Sequence, residues 1–174
     1  MKKNLITCAI LCIPFAAVAA SETELEPIIV QSAYAVPVKA TQTASSVTVL
    51  TEKDFAQRNA TYVSDVLKTV PGVSMISYGG RGALTNFSIR GSEANHTAVI
   101  IDGVKVNPAT GYGYDFGGLS LSNIERIEVL RGEQSALWGS DAMGGVIYIT
   151  TKSGLHKDKP FNLDFDFGTG SHRT

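Results

Sequence analysis

Ala98-Val99-Ile100-Ile101-Asp102-Gly103-Val104-Lys105-Val106 is the stretch on which the fold turns. A run of β-prone aliphatics meets Asp-Gly, a dipeptide that accepts the positive φ of a type I′ turn, and the chain returns through two valines. This spacing predicts a hairpin and therefore a sheet. On its N-terminal side, Asn86 to Arg90 predicts a further strand closed by Gly91, and Val73 to Ser77 another. Tyr78-Gly79-Gly80-Arg81-Gly82 between them reads as a loop, since three glycines in four positions weaken any regular element.

Further upstream, Val63, Val66, Leu67 and Val70 recur at helical spacing on one face, and Pro71-Gly72 stops that helix. Thr51, with Asp54 three residues on, caps a short helix after the strand Ser46 to Leu50. On the C-terminal side, a long Gly- and Tyr-rich loop runs from Asn107 to Gly118, a length that often marks function. Ile124 to Leu130 then predicts a strand, Glu133 to Trp138 a short helix and Val146 to Thr151 a last apolar strand. Short strands interleaved with short helices give a small mixed-sheet α/β domain over 46–153.

The flanks differ in character. Lys2 and Lys3, the apolar run Leu5 to Val18 and the small residues through Ala20 have the layout of a secretory signal peptide over 1–20, cleaved after Ala19 or Ala20. Pro14 and the shortness of the run argue against a membrane span, which needs about 20 apolar residues. The two cysteines, Cys8 and Cys12, fall inside that signal, so disulfide scaffolds and Cys-type zinc sites are excluded from the mature chain. Residues 21–45 lack sustained periodicity and read as a flexible lead segment, within which Glu26-Pro27-Ile28-Ile29-Val30-Gln31-Ser32 is either a β-prone stretch able to pair with a partner or a disordered tail with three incidental aliphatics. Beyond 153, Phe161, Leu163, Phe165 and Phe167 alternate with Asn162, Asp164, Asp166 and Gly168. That pattern fits a lipid-facing strand or an amphipathic strand of a water-soluble sheet.

Composition and spacing also exclude functions. The 15 basic and 16 acidic residues nearly cancel, which leaves no footprint for nucleic acid. His96, His156 and His172 have no Cys or carboxylate at metal-ligand spacing, so neither a metal nor a cofactor is implied. There is no G-x-S-x-G elbow and no P-loop, and Gly111-Tyr112-Gly113-Tyr114-Asp115-Phe116 has Phe where a dinucleotide fingerprint needs its third Gly. Glu125 and Glu128, with Arg126 and Arg131 nearby, read as an ion-paired strand edge rather than an acid and base. No catalytic set is found, and the chain reads as a non-enzyme.

Taken in order, Ser64-Asp65-Val66-Leu67, Val70-Pro71-Gly72-Val73, Ile89-Arg90-Gly91, Ile101-Asp102-Gly103-Val104, Ile124 to Gly132 and Trp138 to Ile147 resemble the plug domain of TonB-dependent outer-membrane receptors. The wording resembles vitamin B12 and catecholate-siderophore receptors. The resemblance implies a globular plug, with residues 154–174 as linker and first strand of a β-barrel whose remaining strands lie outside this sequence. It implies energy-coupled uptake of a scarce ligand, a ferric siderophore (a metal chelate) or cobalamin, across the outer membrane. A TonB box at 26–32 would be gripped by the TonB C-terminal domain through strand addition. Ligand-facing apical loops would lie at Tyr78 to Leu84, Ser92 to Asn95 and Asn107 to Phe116, with Tyr78, Arg81, Asn95, Asn107, Tyr112, Tyr114 and Asp115 as candidate contacts. Arg90 and Arg131 would pair with carboxylates of the barrel wall. The alternative is a free periplasmic plug-like binding module; an exported enzyme ranks below both.

Overall fold

A computed structural model describes residues 28–31, 37–39, 42–43 and 45–152. The signal peptide, Glu26, Pro27, Ser32, His156, His172 and the alternating 161–170 stretch lie outside the described residues. The first elements are two-residue strands, β1 (Ile29–Val30) and β2 (Val38–Lys39), paired antiparallel. There follow β3 (Ser46–Thr51), α1 (Glu52–Gln57), α2 (Val63–Leu67), β4 (Val73–Ser77) and β5 (Thr85–Ile89). After a 3-10 turn come β6 (Thr97–Ile101) and β7 (Val104–Lys105), then β8 (Ile124–Arg131), α3 (Ser135–Trp138) and β9 (Gly145–Thr151).

One five-stranded mixed sheet in the order β3-β8-β9-β6-β7 organises the domain. Only β6 and β9 are parallel; the other neighbours are antiparallel. The turn that decides the hairpin forms as expected, with Asp102 at φ 49° and Gly103 at φ 85°, both positive as a type I′ turn requires. The Asp102 carboxylate then crosses to β9, accepting from the Thr151 N–H at 2.8 Å and its hydroxyl at 2.6 Å, so the turn is tied to the middle of the sheet.

Strand alternation sends the two faces of the sheet to different cores. Val99, Ile127, Val129, Ile147 and Ile149 face a core roofed by α1, α2 and the β4–β5 hairpin through Phe55, Val63, Val66, Leu67, Phe87 and Ile89. Ala98, Ile100, Leu130, Val146 and Tyr148 face the opposite way and are covered by Val30, Val38, Ala142 and Trp138. Burial on both faces explains why β9 reads as a nearly continuous apolar run, whereas β8 carries Glu125, Arg126, Glu128 and Arg131 among its aliphatics. At the start of β9, Gly145 has φ 155°, and a Cβ there would run into the Leu130 carbonyl oxygen and sit 2.7 Å from Ile89 Cδ1.

Three sequence expectations change. The helix expected to run to Pro71 closes at Leu67, because the chain tightens into successive turns, with Thr69 Oγ1 donating to the Val66 carbonyl at 2.7 Å. Glu125 and Glu128 do not lie on a strand edge: β8 is flanked by β3 and β9, and Glu128 is fully buried. The lead segment is not uniformly flexible either. Val30 is fully buried on the second face of the sheet, because that face would otherwise present Ile100, Leu130 and Val146 to water.

Candidate functional site

The loops expected to meet a ligand are pinned by some of the same residues proposed to contact it. Asn107 Oδ1 accepts the Val99 N–H at 2.7 Å and its Nδ2 donates to the Thr97 carbonyl at 2.9 Å, so its amide substitutes for a strand neighbour along β6. Asp115 Oδ1 accepts from the Thr85 and Gly117 N–H groups, each at 2.9 Å. Asn86 Nδ2 donates to the Tyr112 carbonyl, and the Phe116 N–H reaches the Thr85 carbonyl at 2.8 Å. Phe116 is buried edge-on against Phe87 at 5.2 Å and Tyr114 at 4.8 Å. Burial pushes the Tyr114 hydroxyl above its ordinary pKa, so it stays a neutral phenol.

With its base anchored, the loop presents Tyr112 outward at 76% exposure, and the glycine loop presents Tyr78 at 70%. Arg81 lies 5.8 Å from the centre of the Tyr62 ring, within cation–π range. Two cavities flank this surface. One, of about 270 Å³, is lined by Arg81 with Tyr62, Asp65 and Met75. The other, of about 490 Å³, brings Asn95 and Asn107 together with His96, Lys105 and Asp141. Lys105 Nζ is 2.6 Å from Asp141 Oδ2, and this contact holds the Asp141 carboxyl below its ordinary pKa. Sequence reasoning weighed His96 only as a metal ligand and did not single out Lys105 or Asp141; the available signal was that Lys105 lies two residues before Asn107.

Arg90 and Arg131 come together around Gly72, where a Cβ would lie 3.8 Å from Arg90 Cγ and 3.7 Å from Arg131 Cδ. Arg131 donates to the Pro71 carbonyl at 2.8 Å and from Nη2 to Ser46 Oγ at 2.8 Å. Neither arginine forms an ion pair among the described residues. Arg90 is exposed, with φ 54°, and its N–H donates to the Gly72 carbonyl at 2.7 Å.

At the second face of the sheet, the lead strand is held by two charged side chains of β8. Arg126 Nη1 donates to the Ile29 carbonyl at 3.0 Å, and Glu128 Oε2 accepts the Gln31 N–H at 2.8 Å. Arg126 Nη2 and Glu128 Oε1 are themselves 3.1 Å apart. Burial, and then the neighbouring Glu128, push the Tyr148 hydroxyl above its ordinary pKa. Among the described residues no cluster of His, Cys, Asp or Glu could hold a metal ion, and no helix is long and apolar enough to cross a membrane.

Comparison with protein families matches residues 39–146 to the TonB-dependent Receptor Plug Domain. The chain belongs to this plug-domain family. It is 36% identical to the vitamin B12 transporter BtuB of Vibrio vulnificus over 174 residues, which is 99% of this chain and 28% of that protein. It is 37% identical to the BtuB of Photobacterium profundum over 154 residues, 87% of this chain and 25% of that protein. The chain thus spans about a quarter of the length of these curated relatives. Among solved structures, the outer-membrane ferripyoverdine receptor of Pseudomonas aeruginosa shares the fold, with a TM-score of 0.64 and 23% identity over 75% of this chain and 17% of that one. The alcaligin outer-membrane receptor FauA of Bordetella pertussis does so with a TM-score of 0.60 and 22% identity, over 74% of this chain and 22% of that one. The mixed sheet and short helices described above are therefore the plug fold, and the named relatives are transporters and receptors rather than enzymes.

Proposed function

We propose that this chain is the plug part of a TonB-dependent outer-membrane receptor that takes up a scarce ligand with energy supplied through TonB. Plug-family membership across the sheet supports this reading. So does the observation that carries it: an extended segment, Ile28 to Gln31, lies over the second face of the five-stranded sheet rather than within it, its backbone held by the Arg126 and Glu128 side chains. Such a segment can add as a strand to a partner's sheet, where backbone hydrogen bonds supply the grip. Each bond nets only about 0.5–1.5 kcal/mol, so a handful gives a reversible handle. Glu26 to Ser32 is then the TonB box, and the TonB C-terminal domain its partner.

Tyr78, Arg81 and Tyr112 form the exposed part of the ligand face, with Asn95 at the cavity beside them. Asn107, Tyr114 and Asp115 serve it by shaping the loop. Arg90 and Arg131, brought together at one edge of the plug, meet carboxylates of the enclosing barrel. Similarity to vitamin B12 transporters supports cobalamin as the ligand; the fold shared with ferric-siderophore receptors supports a ferric chelate as the alternative. Binding of cobalamin and of a panel of ferric siderophores to the barrel-complete receptor separates the two. In that receptor Ile29→Pro removes a backbone donor from the handle and is expected to abolish energised uptake while ligand affinity stays unchanged. Uptake at the wild-type rate would refute the handle.

A further inference from the structure

Asp102-Gly103 is the single Asp-Gly pair of the chain, and no Asn-Gly pair occurs. The pair that suits the hairpin turn also carries a reactive juxtaposition. Glycine has no Cβ to shield its own nitrogen, so the Gly103 nitrogen can approach the Asp102 side-chain carboxyl more freely than that of any other residue type could. Both residues are exposed, so solvent reaches them. Against this reactivity the fold sets a clasp. Asp102 Oδ1 accepts the Thr151 N–H at 2.8 Å, and Oδ2 accepts the Thr151 hydroxyl at 2.6 Å. The Asp102 N–H donates to the Ile149 carbonyl at 3.0 Å, which fixes the backbone on the same side. Turning the carboxyl carbon onto the Gly103 nitrogen therefore requires both contacts with Thr151 to break.

We propose that Asp102 is a latent site of covalent modification, isomerisation to isoaspartate, and that Thr151 is its guard. In the reaction the Gly103 nitrogen bonds to Asp102 Cγ and gives up its hydrogen, which departs with the carboxyl hydroxyl as water. The five-membered imide so formed then takes up water at one of its two carbonyls. Opening on one side regenerates aspartate; opening on the other leaves isoaspartate, with the chain running through Cβ and Cγ. Solvent is the sole co-reactant. The product has one more atom in its backbone and a carboxylate one carbon shorter, so it fits neither the two-residue turn nor the clasp. The register Ile100↔Lys105 and Ile101↔Val104 is then lost. Two contacts downstream depend on that register: Lys105 with Asp141, and Asn107 with Thr97 and Val99. Isomerisation would thus loosen the base of the 107–118 loop. What this does to uptake rests on the reading of that loop as ligand-facing; the site and its guard do not.

The test incubates the full chain, its Thr151→Val variant and a peptide of residues 97–106 in warm neutral buffer. Isoaspartate at position 102 is followed by an isoaspartate-specific methyltransferase and by peptide mapping. Valine keeps the branched shape and the backbone N–H of threonine and removes only the hydroxyl donor. The variant is expected to convert about fivefold faster than the native chain, the effect of one lost hydrogen bond, and the peptide faster than either. A peptide that converts no faster than the native chain overturns the guarded site. Equal rates in the native chain and the folded variant overturn the role of Thr151. Should Thr151→Val not fold, Thr151→Ser and Thr151→Ala make the comparison. Serine keeps the hydroxyl and is expected to hold near the native rate while alanine converts faster; equal rates in the two overturn the guard. In chains that carry isoaspartate, the Val99 amide, held by Asn107 at 2.7 Å, is expected to exchange about fivefold faster. Unchanged exchange there overturns the link to the loop.

Discussion

Replacing Val30 by alanine tests how the leader is seated. The Val30 side chain is fully buried against Ile100, Leu130, Val146 and Tyr148. The substitution removes two methyl groups, and at about 0.8 kcal/mol for each buried carbon the transfer loss is about 1.6 kcal/mol. Incomplete collapse around the vacated space raises the total to about 2 kcal/mol. Because β1 touches only the second face of the sheet, this loss falls on leader docking and not on the core beneath α1 and α2. A change of about 2 kcal/mol is roughly a 30-fold shift in the docking equilibrium. Amide exchange resolved by residue is the assay, since local opening reports its own free energy separately from global unfolding. Exchange at Val30 and Gln31 is expected to accelerate by about 30-fold, with Ile127 and Ile147 unchanged. Unaltered exchange at residues 30–31, or equal acceleration across the whole sheet, would refute a leader docked by its own local contacts.

Other perturbations probe the remaining contacts. Asp115→Ala strips the acceptor from the Thr85 and Gly117 N–H groups; a loss of about 1–3 kcal/mol in local stability should appear as faster exchange across 111–118, with weaker ligand binding. Gly145→Ala forces a Cβ against the Leu130 carbonyl oxygen at φ 155°, and denaturant titration should show a loss of about 2 kcal/mol or more. Acid should destabilise the domain through Asp54, whose carboxyl is held below its ordinary pKa chiefly by the Thr51 N–H, and through Asp141, held down chiefly by Lys105. A carboxyl whose folded pKa lies below its unfolded value contributes its full stability above about pH 4 and loses it as pH falls through the folded value. Asp54→Asn should therefore flatten the fall in urea midpoint below that pH, and an unchanged slope would count against this capping contact.

Much of the fold was legible because it follows from local chemistry. Asp102-Gly103 marked the hairpin, Thr51 and Asp54 marked the start of α1, and the alternating stretch at 124–130 and the apolar run at 146–151 marked strands. What escaped depends on contacts distant in sequence. Glu128 read as part of an ion-paired strand edge because charges normally stay in water; its burial follows only once β3 and β9 flank β8 and the leader closes over it. Likewise, no local pattern shows that Asn107 completes the edge of β6 or that Asp115 anchors β5. In the candidate site, the exposed tyrosines were legible as loop residues. The side chains that hold the loops in shape look the same in sequence as side chains free to bind.

The thin covering over the second face of the sheet has a mechanical consequence. Any tug that peels Val30 and Val38 away would wet Ile100, Leu130 and Val146, and water resists that exposure more the further the peeling goes. The greasy underside thus acts as a return spring: when tension ceases, the tether reseats itself with no input beyond the aversion of hydrocarbon to water.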